Sequence, residues 1–350
     1  MNYSHKRVLV TGGLGFIGSN LAVRLVELGA SVTVVDSSCS GCGANPHNLA
    51  PVADRVRVIP ADIGDPHLFE EALQGLDLVF NLAGEVSHVH SMAFPERDLE
   101  INTVAQLRFL DAVRRLCPGV RVVYAGTRQI YGIPRYLPVD EDHPVEPVDF
   151  NGVHKYAASM YHLTLSRLGQ LDAAVLRLTN VYGPRMALHI PCQGVLSTFL
   201  RRALLGQDLE VFDGGDSLRD PVHVDDAVHA FLLAGSVARL PSRTYNVGGA
   251  EALSLFRIAE IMARAAGVQV TTRPFPAERK LIDIGSYVSD WARIRRELGW
   301  TPQVGFAEGL RRTLEWYGAR LEHYLDPAQP TFCGMPEHRG QRHRVTLIPA

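Results

Sequence analysis

A doubly wound α/β fold, a parallel sheet covered by helices on both faces with a smaller α/β lobe roofing its strand ends, is predicted by three observations. An apolar, β-branched run from Val8 to Val10 passes through a glycine-rich turn into a helical pattern. Strand-like and helix-like stretches then alternate as far as Leu178. Beyond Gly183-Pro184 the alternation gives way to separated helices with short strands between them. Regular alternation makes right-handed βαβ units and therefore a parallel sheet, and 350 residues are enough for such a domain and a second lobe.

Each element has a local cause. After the first strand, Phe16, Ile17, Leu21, Leu25 and Leu28 recur at helical spacing. Between strand and helix stand Gly12, Gly15 and Gly18, whose missing side chains permit a tight turn, close approach of backbone to a pyrophosphate, and packing of helix on strand. The helix N-terminus offers its free N–H groups to phosphate. Ser31 to Asp36 is a second strand ending in an acid, about 20 residues on, as a dinucleotide fingerprint requires. The unit is Rossmann-type. Asp36 binds adenosine ribose hydroxyls and repels a 2′-phosphate, which predicts NAD as the cofactor rather than NADP.

Further along, strands are expected at Val56–Ile59, Leu78–Leu82, Val120–Ala125 and Ala174–Leu178, the last closing the sheet. Helices are expected at Pro66–Gln74, Pro95–Arg115 and Gly152–Leu168. The C-terminal half reads as helices at Gly194–Leu205, Asp226–Ala234, Leu255–Ala266, Asp290–Leu298 and Phe306–Tyr317, with strands at Glu210–Phe212 and Arg243–Val247. The expected division is 1–185 as the NAD-binding domain, 186–325 as a substrate lobe with some segments returning to the sheet domain, and 326–350 as a tail.

Charge narrows the partners. With 35 basic and 37 acidic residues, the formal net charge of -2 gives no electrostatic case for nucleic acid or an anionic membrane. No window approaches 18 uninterrupted apolar residues, and no apolar leader precedes the first strand. Five cysteines fit free thiols, and a cytoplasmic protein with small-molecule partners is expected. Cys39 and Cys42 form a C-x-x-C pair without two further ligands at zinc spacing, and His88-Val89-His90 lacks a carboxylate partner at ligand spacing, so no metal is predicted.

Further motifs carry a resemblance. The glycine loop, Asp62-Ile63, Asn81-Leu82-Ala83-Gly84, Asn102, Gly126-Thr127-Arg128-Gln129-Ile130-Tyr131-Gly132, Lys155 and Leu178-Thr179-Asn180-Val181-Tyr182-Gly183-Pro184-Arg185 together resemble an extended short-chain dehydrogenase/reductase of the nucleotide-sugar epimerase/dehydratase branch. The likeness runs from about Arg7 to Tyr317. It implies that Asp62 and Ile63 line the adenine site, that Leu82, Ala83, Gly84 and Asn102 belong to the cofactor wall, that Lys155 hydrogen-bonds the nicotinamide ribose, and that Thr127 holds the reacting sugar hydroxyl. It also implies a homodimer paired through helices of the sheet domain.

In one place the sequence departs from the family. Oxidising a sugar alcohol needs a base on the hydroxyl, and a lysine ammonium nearby stabilises that base when anionic. The family's tyrosine stands four residues before the lysine, on the same helix face; here that residue is Asn151, which accepts no proton. His154, Glu85, His88 and Tyr131 remain as candidate bases, and Asn151 has a second reading as a helix cap. On the substrate side the resemblance implies that Asn180 and Arg219 grip a sugar diphosphate, for which an arginine fork is suited. Gln193 and Arg279 are candidate additions. The expected reaction is NAD-dependent epimerisation of a nucleotide-diphosphate sugar at C4 through a keto intermediate. The alternatives are a C2 epimerase, a silent binding protein, or a 4,6-dehydratase, whose acids after the threonine are replaced by Arg128 and Gln129.

Overall fold

The structure is a computed structural model that describes residues 1–39, 42–190 and 194–325. In chain order the first half contains β1 (Arg7–Thr11), α1 (Phe16–Glu27), β2 (Ser31–Asp36), β3 (Val56–Pro60), α2 (Glu70–Leu73), β4 (Leu78–Asn81), α3 (His88–Ala93), α4 (Pro95–Leu99), α5 (Ala105–Leu116), β5 (Arg121–Thr127), α6 (Phe150–Arg167) and β6 (Asp172–Leu178). The second half adds β7 (Val181–Tyr182), α7 (Val195–Leu204), β8 (Leu209–Phe212), β9 (Leu218–Arg219), β10 (Val222–His223), α8 (Val224–Ser236), β11 (Thr244–Val247), β12 (Leu253–Ser254), α9 (Leu255–Ala266), β13 (Val270–Arg273), α10 (Ala277–Lys280), α11 (Ala292–Leu298) and α12 (Phe306–Gly318).

The main sheet has seven strands in the order β11-β6-β5-β4-β1-β2-β3, every pair parallel. Its central strands are apolar on both faces because helices cover both; Leu9, Val10, Val79, Phe80, Val122 and Val123 are fully enclosed. The strand order reverses between β1 and β4, and such a switch point opens a crevice at the carboxyl ends of the strands. Thr11 fixes that opening: its hydroxyl donates to Asn81 Oδ1 at 2.7 Å and accepts from the backbone N–H of Leu82 and Ala83, each at 3.2 Å.

Three expectations change. The sheet is not closed by β6, because β11 from the C-terminal half adds a seventh strand beyond it. The helix expected from Pro95 to Arg115 is α4, a π-helical turn at Glu100–Val104, and α5; the inserted residue of a π turn re-aims side chains, here Asn102. The helix expected from Pro66 begins as a 3-10 turn (Pro66–Phe69) before α2. The proposed tail, 326–350, lies outside the described residues.

Part of the second half forms the smaller core. Helices α7, α9 and α12 pack Leu196, Phe199, Leu200, Ile258, Met262, Leu310 and Tyr317 together with the parallel pair β8 and β13. The segment after α12 returns to the sheet layer: Tyr324 donates its hydroxyl to Asn48 Oδ1 at 2.5 Å, and Asn48 Nδ2 donates to the carbonyl of Leu14, inside the glycine turn, at 2.8 Å. Arg185 crosses the same junction, with Nη1 2.7 Å from Asn20 Oδ1 and Nε 3.1 Å from the carbonyl of Asn48.

Candidate active site

A cavity of about 500 Å³ follows the switch point and runs under the smaller lobe. One end is the glycine turn. Gly12 has φ +67°, and a Cβ there would lie 2.9 Å from the backbone of Leu82 and Ala83. A Cβ on Gly18 would lie 2.2 Å from the carbonyl oxygen of Gly12. Helix α1 is thereby drawn down onto β1 with Gly15, Phe16 and Ile17 bordering the cavity. Asp36 at the end of β2 borders it too, taking the N–H of Leu14 at 3.0 Å and of Ser38 at 2.9 Å. Burial pushes its carboxyl above the usual carboxylate range, and those two hydrogen bonds oppose the shift.

The wall continues through Asp62, Ile63, Leu82, Ala83 and Gly84. Asn102 does not border the cavity. It is fully buried behind the wall, where Oδ1 accepts from the N–H of Glu85 at 3.1 Å and Nδ2 donates to the carbonyl of Glu85 at 3.2 Å, fixing the loop after β4. A glycine turn at a helix N-terminus, a carboxylate at the second strand end and a buried lysine opposite form a donor and acceptor set that fits NAD.

Thr127, Asn151 and Lys155 meet in the middle of the cavity. Thr127 ends β5, where its Oγ1 accepts from the N–H of Gln129 at 3.2 Å. Asn151 is not the cap of α6. That role belongs to Asp149, whose carboxylate accepts from the N–H of Gly152 at 2.7 Å, so Asn151 and Lys155 lie one turn apart inside the helix. Asn151 Nδ2 donates to the carbonyl of Glu85 and to Asp98 Oδ2, each at 3.0 Å. Both neighbours are acceptors, which assigns the amide nitrogen to them and leaves Oδ1 without a hydrogen bond from any described residue. Lys155 is buried with its Nζ 5.9 Å from the centroid of the Tyr124 ring. Burial lowers its pKa to about 8, opposed by Asp98 and Glu85.

The four candidate bases separate clearly. Tyr131 is buried outside the cavity, donating to Asn246 Oδ1 at 2.7 Å and accepting from Arg177 at 2.6 Å. His154 is also off the cavity, its Nδ1 2.7 Å from Asp98 Oδ1. Glu85 and His88 border the cavity. The fold brings carboxylates to the histidines of α3: His88 Nδ1 lies 3.1 Å from Asp149 Oδ2, and His90 Nδ1 lies 3.4 Å from Glu85 Oε1. No tyrosine takes the place beside Lys155 on the cavity wall.

At the far end stand Asn180 and Arg219. Arg219 Nη1 donates to the carbonyls of Leu218 at 2.7 Å and Gly285 at 2.6 Å, and Nη2 lies 3.7 Å from Asp283. Burial and neighbouring Arg128 lower its pKa to about 10. Arg279 lies on α10 away from the lining, and Gln193 falls outside the described residues. Cys39 and Cys42 face Arg97, whose Nη2 lies 3.3 and 3.4 Å from their sulfurs. Asp226, in the first turn of α8, accepts from the N–H groups of Gln303 and Val304, a structural use.

Sequence reasoning missed Arg128, Asp98 and Asp149. Arg128 borders the cavity half-buried, Nη2 3.3 Å from Asn180 Oδ1 and the guanidinium 4.9 Å from the Tyr287 centroid, its enclosed Nη1 without a hydrogen-bond partner among the described residues. Its place directly after Thr127 was the available signal. Asp149 was legible as a cap three residues before Gly152, whereas Asp98 acts through contacts that only the fold creates.

Residues 8–248 match the NAD dependent epimerase/dehydratase family. The chain is 35% identical over 314 residues to a UDP-glucose 4-epimerase of Mycolicibacterium smegmatis, covering 89% of this chain and 98% of the relative. A UDP-glucose 4-epimerase of Thermotoga maritima, solved with UDP-glucose, superposes with a TM-score of 0.81 at 30% identity, covering 90% of this chain and 99% of that one. A dTDP-glucose 4,6-dehydratase of Streptomyces venezuelae, solved with NAD bound, gives 0.82 at 30% identity over 91% and 98%. A family match across most of the chain, on a sheet whose switch point opens into this cavity, is decisive: the chain belongs to the NAD dependent epimerase/dehydratase family.

Proposed function

We propose that the protein inverts one carbon, C4, of a nucleoside-diphosphate sugar, using NAD that is restored in each cycle. The carrying observation is that a single cavity joins the glycine turn and Asp36, the central Thr127, Asn151 and Lys155, and the Arg219 end. When bound, NAD supplies a hydride acceptor that later returns the hydride to the other face of the keto sugar. Gly12, Gly15, Phe16, Ile17, Gly18, Asp36, Asp62, Ile63 and Leu82 to Gly84 would hold it, with Asn102 bracing the wall. Lys155 keeps an ammonium at neutral pH and so acts as a donor at the ribose. Thr127 orients the reacting hydroxyl, and Asn151 Oδ1 accepts a hydrogen bond from a hydroxyl or water. Arg219 and Asn180 hold the diphosphate.

A dehydratase is the second reading, supported by relatives such as the dTDP-glucose 4,6-dehydratase of an Actinoplanes species, 31% identical over 322 residues. Against it, Arg128 and Gln129 supply no acid after Thr127. The division of labour, 1–185 with β11 for NAD and 186–325 for the nucleotide sugar, belongs to the same proposal. No helix among the described residues is long and apolar enough to cross a membrane. A cytoplasmic location, where NAD and nucleotide sugars occur together, suits Cys42 and Cys117, which form no disulfide among the described residues. A homodimer through α5 and α6 suits exposed Leu107 and Met160 on those helices.

Incubation with UDP-, dTDP-, CDP- and GDP-sugars, with products read by NMR, tests the reaction. The expected product differs from its substrate at one ring carbon, with no net NAD reduction. Loss of water, or no conversion at all, overturns the reading. Arg219→Ala should weaken nucleoside-diphosphate binding by about 1.5–3 kcal/mol, the range for charge-assisted hydrogen bonds, and leave NAD affinity unchanged by calorimetry.

A further inference from the structure

The proposed epimerisation requires a group that takes the hydroxyl proton as the carbon is oxidised, and Asn151 has no such capacity. Among the ionisable side chains bordering the cavity, Asp36 and Asp62 sit at the ends of β2 and β3, and Asp283 is beside Arg219. Glu85, His88 and Lys155 remain around Thr127 and Asn151. Lys155 is an ammonium at neutral pH and hence a donor. The Glu85 carboxylate is turned to His90 at 3.4 Å and Arg97 at 3.7 Å, on the side of Cys39 and Cys42.

His88 is placed differently. It opens α3 behind the Ser87 cap, and its side chain is 35% exposed on the cavity wall. Its Nδ1 is buried 3.1 Å from Asp149 Oδ2, short of hydrogen-bond alignment, and its Nε2 bonds to no described residue. Asp149 is wholly enclosed and has two further partners, the N–H of Gly152 and Gln129 Nε2, each at 2.7 Å. Gln129 in turn gives its backbone N–H to Thr127 Oγ1. The carboxylate is therefore fixed to the same framework as the hydroxyl that orients the substrate. A carboxylate opposite Nδ1 selects the tautomer with the proton on that nitrogen, which leaves the Nε2 lone pair free. Catalytic contacts are often loose before substrate binds.

We propose that His88, oriented by Asp149, is the general base and acid of the reaction, replacing the tyrosine that Asn151 displaces; this rests on the epimerase reading above. In the forward step the substrate O–H bond breaks and its proton passes to Nε2, while the C–H bond breaks and hydride leaves for the nicotinamide, giving ketone, reduced coenzyme and imidazolium. In the return step hydride adds to the opposite face of the carbonyl carbon and Nε2 returns the proton to oxygen. Atoms and electrons balance without another reactant.

The test uses full-length enzyme carrying NAD, with the nucleotide sugar it converts. His88→Gln should lower kcat by about 10²–10⁴-fold, the usual share of a general base, with KM, NAD content and UDP affinity near wild type. His88→Ala should regain turnover on addition of imidazole, and His90→Gln, on the same helix, should behave as wild type. Independently of turnover, the imidazole nitrogen signals of His88 should shift when UDP-glucose is added to the NAD-loaded protein, and should not shift with UDP alone. Wild-type turnover with His88→Gln within tenfold of it overturns the proposal and leaves the epimerase reading standing, as does collapse in Glu85→Gln with His88→Gln intact. Wild-type protein that binds UDP-sugars and converts none of them overturns the epimerase reading itself, and the base with it.

Discussion

Asp36 illustrates how one carboxylate serves two ends at once. By holding the N–H of Leu14 it shapes the glycine turn, and by closing β2 it faces the cavity where the ribose of a dinucleotide belongs. A 2′-phosphate there would meet a negative charge and lose the hydroxyl that donates to that charge. NAD should therefore bind more tightly than NADP, and Asp36→Ala should narrow the gap as well as weaken NAD, since the loop loses an anchor too. Calorimetry on both coenzymes checks this, and equal affinities in the wild type would refute it. Asp36 and the three glycines were legible because their roles are local. Asn151 was legible only as a departure: its spacing from Lys155 placed it on the same helix face, but its hydrogen bonds to Glu85 and Asp98 come from a loop and a helix far away in sequence.

At the scale of elements, α6 is the part on which the centre of the site depends. Its first two turns carry Asn151 and Lys155, and its N-terminus is fixed by Asp149, which also receives Gln129 and faces His88. Burial works against the Asp149 carboxylate, but His88, the Gly152 N–H and Gln129 together hold it below the usual carboxylate range. A carboxyl whose folded pKa is depressed adds stability that is complete above its unfolded pKa and is lost as pH falls through the folded one. The contribution should thus be constant at neutral pH and disappear below about pH 4. Asp149→Ala should cost about 0.5–2 kcal/mol, the range for a helix cap, and flatten that acid limb, whereas Asp149→Asn should keep most of the cap and lose the pH dependence. Denaturant titrations across pH read both. The helix itself was visible in the sequence, and so was Asp149 as a cap candidate beside Asn151; the fold shows that Asp149 is the side chain that turns back on the chain.

The whole molecule is interleaved rather than divided at residue 185. Strand β11 arrives after the smaller lobe has begun and pairs with β6 in register from Thr244 to Val247, and α8 supplies Val228, Phe231 and Leu232 to the core of the sheet layer. A chain cut after Arg185 would leave β6 as an open edge and the sheet face apolar, a template for aggregation. Residues 1–185 alone should accumulate as insoluble protein or refold without a cooperative transition, which sedimentation and thermal melts detect; a soluble, cooperatively melting fragment that binds NAD would contradict this. Sequence patterns gave the alternation of the first half easily, since a buried parallel strand is a continuous apolar run. Thr244 to Val247 is short and lies among helices, so its sheet partner was invisible until three-dimensional neighbours were known.

The contact from Tyr324 through Asn48 to the carbonyl of Leu14 links the end of the described chain to its beginning. A catalyst that lends out a hydride and takes it back has no reason to trade coenzyme with the surrounding pool between turnovers. The segment that carries Tyr324 is held as well by the stacked rings of His47 and His323, 3.7 Å apart. Residues some 300 positions apart in the sequence are thereby joined through Asn48 at the turn that borders the cavity.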